Sequence, residues 1–185
     1  MNTEPLYQGV LMTADEYFKM PDDGFRYELI HGVLVMTPSP TFLHQRALSD
    51  LFSVLHDHTN RNDLGVVVVA PLDAKLGDLI VYQPDILFFN KAKALAREDR
   101  VDVVPDLVVE ILSPGTALKD LNVKRADYEA AGIQEYWVAD TEARSFRFFV
   151  LKEGRYVEQA PDVFESHVLK GLRFDGKGFW ESLGK

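Results

Sequence analysis

Asp106-Leu107-Val108-Val109-Glu110-Ile111-Leu112 is the stretch whose reading decides the fold. It is an apolar run of β-type residues with one carboxylate in its middle. The pattern predicts a strand over 106–112, closed by the turn Ser113-Pro114-Gly115-Thr116. A helix is predicted next, from Leu118 to Ala131, stopped by Gly132. Its apolar stripe reads Ala117, Leu121, Lys124, Tyr128, Ala131, at alternating four- and three-residue spacing, so Lys124 takes a core-facing slot. A buried charge is costly unless it is neutralised, paired or bound to a metal. Glu110 and Lys124 therefore mark either a site or a buried salt bridge joining strand to helix. The two residues alone do not decide between these.

Upstream, Thr13-Ala14-Asp15-Glu16 fits a capping box and predicts a short helix from Ala14 to about Met20. Pro21-Asp22-Asp23-Gly24 breaks the chain. Arg26–Ile30, a His31-Gly32 turn and Val33–Met36 read as a β-hairpin. Ala47, Leu48, Leu51, Phe52 and Leu55 give an amphipathic helix from Thr41 to about Asn60. Val66–Val69 reads as a buried strand. Further strands are expected at Ala74–Leu76 and Ile80-Val81, around a Gly77-Asp78 turn, and at Pro84–Phe89, where Pro is tolerated at the start. Lys91 to Asp99 is polar, a short helix or a solvated loop. Glu135–Asp140 and Ser145–Leu151 read as strands, with Tyr156-Val157 pairing across Glu153-Gly154. The tail from Pro161 carries short segments that the pattern does not order. The expected class is mixed α/β with a largely antiparallel central sheet, in a single domain: an N-terminal helix and hairpin extension over 13–40, a core over 41–158 and a tail over 159–185.

A chain of 185 residues suits one domain with a real core. It has no run of apolar residues long enough to span a membrane. Met1-Asn2-Thr3-Glu4-Pro5 lacks a signal pattern, so cytoplasmic residence is expected. With no cysteine there is no disulfide frame and no thiolate metal site. The net charge of −9 argues against a protein that coats duplex nonspecifically, so any nucleic-acid contact must rest on a local patch or a metal.

Which carboxylate works with Glu110 follows from strand geometry. Asp106 is on the same strand face, but its Cα stands about 13 Å away. That span is too long for two carboxylates to share one ion, and Asp106 reads as a solvated residue at the start of the strand. Asp85 lies on another strand and reaches Glu110 if the two strands neighbour each other at about 4.8 Å. A hard divalent cation prefers oxygen ligands, and Mg²⁺ takes one or two carboxylates while keeping several waters. Asp85, Glu110 and the backbone carbonyl of Ile111 suffice for Mg²⁺ or Mn²⁺. Lys124 is then placed to orient or deprotonate a water, or to offset phosphate charge. Such a set fits phosphodiester hydrolysis.

The other candidates read more plainly. Glu28 alternates with Tyr27 and Leu29 and is expected to face solvent. Gln45 reads as a surface helix residue. The five histidines show no metal-ligand spacing and read as structural or surface groups. Ser113 lacks a nucleophile-elbow context, and no Gly-rich phosphate loop is present. Tyr136 and Trp137 read as core. Lys119, Lys124 and Arg125 cluster near the proposed site, whereas Lys91, Lys93, Arg97 and Arg100 read as a solvated charged face.

The order Pro84-Asp85, Val109-Glu110-Ile111-Leu112-Ser113-Pro114, Asp120, Lys124, Tyr128 and Gly132-Ile133-Gln134-Glu135-Tyr136-Trp137 resembles the Uma-type putative restriction endonuclease family of the PD-(D/E)XK nuclease superfamily. Tyr27–Gly32, Ser39-Pro40 and His44-Gln45 resemble that family's N-terminal signatures, so the likeness runs from about Thr13 to Tyr156. It implies a restriction-endonuclease-like core, Asp85 and Glu110 as metal ligands, and Glu28 and Gln45 as supporting polar residues. In the parent pattern a lysine lies two residues after the acid, where this chain has Leu112; Lys124 looks like its migrated replacement. The implied function is a metal-dependent endonuclease acting on DNA, as a homodimer where both strands of a duplex are cut. The alternative is a catalytically silent nucleic-acid-binding or assembly module on a nuclease fold, in which Glu110 and Lys124 merely pair.

Overall fold

The computed structural model describes residues 5–96, 103–112 and 119–184. In chain order the elements are α1 (Ala14–Tyr17), β1 (Tyr27–Ile30), β2 (Val33–Met36), α2 (Phe42–Arg61), β3 (Gly65–Val69), β4 (Ala74–Gly77), β5 (Ile80–Tyr82), β6 (Ile86–Asn90), α3 (Lys91–Leu95) and β7 (Leu107–Leu112). A π-helical segment (Lys119–Lys124) then runs into α4 (Arg125–Ala130), followed by β8 (Glu135–Asp140), β9 (Ser145–Lys152), β10 (Arg155–Gln159), β11 (Val163–Glu165), β12 (Arg173–Asp175) and α5 (Gly176–Leu183). Ser113–Leu118, with the expected turn and the start of the expected helix, lie outside the described residues, as do Arg97 and Arg100. No helix among the described residues is long and apolar enough to cross a membrane.

β7 is an interior strand of a six-stranded sheet of order β10-β9-β8-β7-β6-β3. Its pairing with β8 is parallel and the other pairings are antiparallel. A parallel pair needs a crossover, and the segment containing α4 supplies it. The faces of β7 alternate as a strand requires. Leu107, Val109 and Ile111 meet Ala47, Leu51 and Leu55 of α2 on one face. Val108 and Leu112 meet Tyr128, Tyr136 and Val138 on the other. Glu110 shares the parity of Val108 and Leu112, so it belongs to the α4 side.

A second sheet, of order β2-β1-β5-β4, takes in the N-terminal hairpin. His31 and Gly32 both have positive φ, 48° and 83°, which matches the twist of a two-residue hairpin turn. The capping box of α1 is present, with Thr13 and Glu16 bonded reciprocally.

Two local expectations need correction. The Val66–Val69 run belongs to β3, which ends the six-stranded sheet and pairs with β6 within it; only Val67 of the run is buried, because an edge strand has one side uncovered. Asp106 is not solvated. It is buried, accepts a hydrogen bond from the Asn90 backbone N–H at 2.8 Å and pairs with Lys93 at 2.8 Å. In the tail, whose short segments the sequence pattern did not order, β11, β12 and α5 bring Phe164, Phe174, Phe179 and Trp180 into the core on the α2 side.

One buried carboxylate holds that tail in place. Glu135 accepts from the Trp137 indole N–H at 3.0 Å, the Ser166 hydroxyl at 2.9 Å and the backbone N–H groups of His167 and Val168. Exchanging this acceptor for an amide, which offers one oxygen and adds two donors, leaves several buried donors poorly satisfied. Glu135→Gln is therefore expected to lose about 2–3 kcal/mol in urea unfolding. An unchanged midpoint would show that the clamp contributes nothing.

Candidate active site

The site begins with strand register. Ile86 pairs with Val109 across the antiparallel β6–β7 ladder. Continuing that register by one residue sets Asp85 opposite Glu110, where Cα atoms are typically about 4.5–5.5 Å apart. Asp85 is fixed at both oxygens. Its Oδ2 accepts from the Ile111 backbone N–H at 2.7 Å, and its Oδ1 lies 3.0 Å from His44 Nε2. The N–H and C=O of one strand residue point to the same side. The Ile111 carbonyl therefore faces the Asp85 side of β7, whereas the Leu112 carbonyl faces β8 and accepts from Thr141 Oγ1 at 3.1 Å.

Glu110 is 4% exposed, and its Oε1 accepts from Lys124 Nζ at 2.8 Å and from the Tyr128 hydroxyl at 2.6 Å. Lys124 is equally buried, and its Nζ also lies 2.7 Å from Glu28 Oε1. The Gln83 backbone N–H donates to the same Glu28 oxygen at 3.1 Å. One amine is thus shared by carboxylates from the two sheets. It also sits 5.3 Å from the centroid of the Tyr82 ring, whose hydroxyl donates to Asp127. Asp127 in turn faces His31 Nε2 at 3.0 Å. Burial pushes the Tyr128 phenol well up, and the neighbouring charge of Glu110 adds to the rise. Tyr128 therefore stays a protonated donor to the carboxylate.

Lys124 stands where the π-helical segment meets α4. Such wide turns recur at functional positions in helices. The predicted stripe survives it: Leu121 is partly buried, and Lys124 and Tyr128 are buried. The donor set is oxygen-rich, with three carboxylates against one amine and one imidazole. Among the described residues no three His, Asp or Glu side chains are grouped so as to hold a metal ion, so a hard divalent cation here would have only Asp85, Glu110 and the Ile111 carbonyl to draw on, with waters completing its shell.

Of the residues singled out in the sequence, Glu110, Lys124 and Glu28 are in direct contact, while Asp85 bonds the Ile111 N–H and stands opposite Glu110 in the strand register. Glu28 does not face solvent as its alternation suggested; it is 1% exposed, because β1 lies inside its own sheet and meets the α4 side of the larger one. Gln45 lies on the exposed face of α2, and the α2 side chain that reaches Asp85 is its neighbour His44. His44 carried a signal that the reading passed over. It extends the apolar stripe of α2, three residues before Ala47 and four before Leu48, and so faces inward.

The geometry can be set beside known proteins. A comparison with curated proteins found no match. Among solved structures, the chain is similar to a protein from Anabaena variabilis described as a putative nuclease belonging to DUF820. The TM-score is 0.79 at 20% identity, covering 93% of this chain and 99% of that one, which shows a shared fold. A family model, Uma2, described as "Putative restriction endonuclease", matches residues 14–175. Because that match spans most of the chain, the protein belongs to the Uma2 putative restriction endonuclease family.

Proposed function

We propose that the protein is a divalent-metal-dependent endonuclease that hydrolyses phosphodiester bonds of DNA. The observation that supports this reading is the strand register that sets Asp85 opposite Glu110 at the ends of two paired strands, with Lys124 bonded to Glu110. Asp85, Glu110 and the Ile111 carbonyl would hold Mg²⁺ or Mn²⁺. Such an ion would supply charge stabilisation to a phosphodiester undergoing hydrolysis.

The chain's own groups divide the remaining work. His44 and the Ile111 N–H orient Asp85 from its two oxygens. Tyr128 and Lys124 fix Glu110. Glu28 holds the other side of the Lys124 amine, so that the amine has a defined direction as well as a charge. In the reaction a water oxygen adds to phosphorus, the P–O bond to the leaving strand breaks, and the proton the water gives up is matched by the one the leaving oxygen takes up. Lys124 orients that water or offsets the growing charge on the phosphate. The reading carries with it a cytoplasmic location and, since a duplex requires two cuts, a homodimer on duplex DNA.

One observation favours a second reading, a silent binding or assembly module on this fold. Lys124 is already paired with two buried carboxylates, and Leu112 stands where the parent pattern has its lysine. Two variants separate the readings.

Glu110→Gln keeps the volume and removes the ligand charge. It is expected to fold, to lose at least about 100-fold in Mg²⁺-dependent cleavage of plasmid or single-stranded DNA, and to gain less than wild type in melting temperature when Mn²⁺ is added. Equal gains would remove Glu110 from the ligand set, and a wild-type protein as inactive as the variant would favour the silent module.

Lys124→Met keeps the stem and removes the amine, stranding Glu28 and Glu110. The expected loss is about 3–5 kcal/mol of stability, as for one partner of a buried pair, together with loss of most cleavage under conditions where circular dichroism shows the variant folded. Cleavage at the wild-type rate would take Lys124 out of the mechanism.

A further inference from the structure

Hydrogen-bond parity along β3 leaves one row of backbone groups pointing away from the sheet. The Ala70 N–H donates to the Asp85 carbonyl at 3.0 Å, and the Leu64 carbonyl accepts from the Lys91 N–H at 3.2 Å. Ala70 and Leu64 thus address β6 and its continuation, as do Val66 and Val68 at the same parity. Val67 and Val69 then present their N–H and C=O groups to the outer edge. Phe88 agrees from the other side. It stands opposite Val67, yet its carbonyl turns to β7 and accepts from the Asp106 N–H at 2.9 Å. Among the described residues no strand pairs with the outer side of β3.

An open row of this kind is a template for another strand, and folded chains usually blunt it with charge, proline or a bulge. The opposite edge of the sheet is blunted: β10 carries Arg155 and Glu158, which pair with Glu129 and Arg147. β3 is not. It reads Gly65-Val66-Val67-Val68-Val69, without charge or Pro, and pairs with β6 in unbroken register. Val66 and Val69 are 42% and 37% exposed, and α3, which packs beside β3, carries the exposed Leu95.

The strand that fits this edge is β3 itself. Laid antiparallel on a second copy about Val67, Val67 meets Val67 and each Val69 meets a Gly65, so the outward N–H and C=O groups of the two copies face one another. With a net charge of −9, two copies repel over most of their surface, and these five uncharged residues give them a place to meet. We propose that β3 is the interface of a homodimer, pairing with its own copy so that the six-stranded sheet continues across a two-fold axis.

The proposal rests on the nuclease reading and deepens it by naming the surface that brings in the second cut. A two-fold axis that relates neighbouring antiparallel strands of one sheet stands perpendicular to that sheet. Both copies then keep α4 on the same side, and both sites face the same way. Val69 pairs with Ile86, so Asp85 follows opposite Ala70. At ~3.3 Å per residue from Val67 and ~4.8 Å per strand from the axis, the two Asp85 Cα atoms stand about 25 Å apart. That span equals roughly seven base pairs at 3.4 Å each, so one duplex reaches both sites.

The test uses the full chain. Sedimentation equilibrium over a dilution series is expected to give the wild type twice the 21.0 kDa of one chain. Val66→Lys places a charge on the exposed edge, and Val69→Pro removes an outward N–H without breaking a bond to β6. Each is expected to sediment as one chain, with native secondary structure by circular dichroism and with the Val67 amide exchanging at least about 10-fold faster than in the wild type. Val157→Lys, on the β10 edge, is expected to remain a dimer. A wild type with the mass of one chain at every concentration, dimeric Val66→Lys and Val69→Pro, or a monomeric Val157→Lys would overturn the interface. Plasmid cleavage in Mg²⁺ keeps the two readings apart. If a monomeric wild type cleaves while Glu110→Gln does not, the nuclease stands and the interface falls. If the wild type is a β3-dependent dimer that cleaves no better than Glu110→Gln, the interface stands and the nuclease falls.

Discussion

The register between β6 and β7 is the constraint on which the rest depends. Both strands are buried, and both carry apolar side chains on either face. A slip of one residue would turn Glu110 from the α4 side into the packed layer against Leu51 and Leu55 of α2. That placement would bury a carboxylate among aliphatic groups, at a cost far above the strength of any single contact nearby. In the observed register Glu110 meets Lys124 and Tyr128, and Asp85 arrives opposite it. The Ile111 N–H, which β6 no longer reaches beyond Ile86, is taken up by the Asp85 carboxylate. One backbone alignment thus satisfies the strand end and builds the candidate site together.

The buried Glu28–Lys124–Glu110 cluster has a second structural role. It joins β1 of the four-stranded sheet, β7 of the six-stranded sheet and the junction of the π-helical segment with α4. Desolvating these charges offsets much of their mutual attraction, and apolar side chains of similar volume often stabilise a core as well. Tyr82 and Tyr128, whose phenols are raised chiefly by burial, surround the cluster as neutral donors and ring faces. An arrangement of this kind restrains the amine in one position. Precise placement of a charge is what phosphate chemistry would require of it, and a contact that only fixes the packing of the two sheets gains from the same restraint.

Much of this was legible in the sequence, and the parts that were not have a common cause. The inward slots of Glu110 and Lys124 follow from local periodicity, which strand and helix geometry fix within a few residues. Asp85 followed from the reach of neighbouring strands. Glu28 was misjudged because its burial depends on a sheet assembled from β2, β1, β5 and β4, whose pairing partners are some 50 residues apart in sequence. Asp106 was misjudged for a similar reason, since its partners Asn90 and Lys93 come from the preceding strand and helix. Glu135 and the tail it clamps lay beyond local reasoning, because short segments such as β11 and β12 show too few residues to reveal a period. His44 is the exception: its signal was local, an extension of the α2 stripe, and a histidine read alone gave it no weight.

The central claim is that Asp85 and Glu110 together form a site for one divalent cation. Electron paramagnetic resonance of Mn²⁺ titrated into the wild type and into Asp85→Asn tests it without relying on any substrate. The account predicts one bound Mn²⁺ per chain in the wild type and loss of that binding in the variant. Equal binding by the two proteins, or none by the wild type, would contradict it.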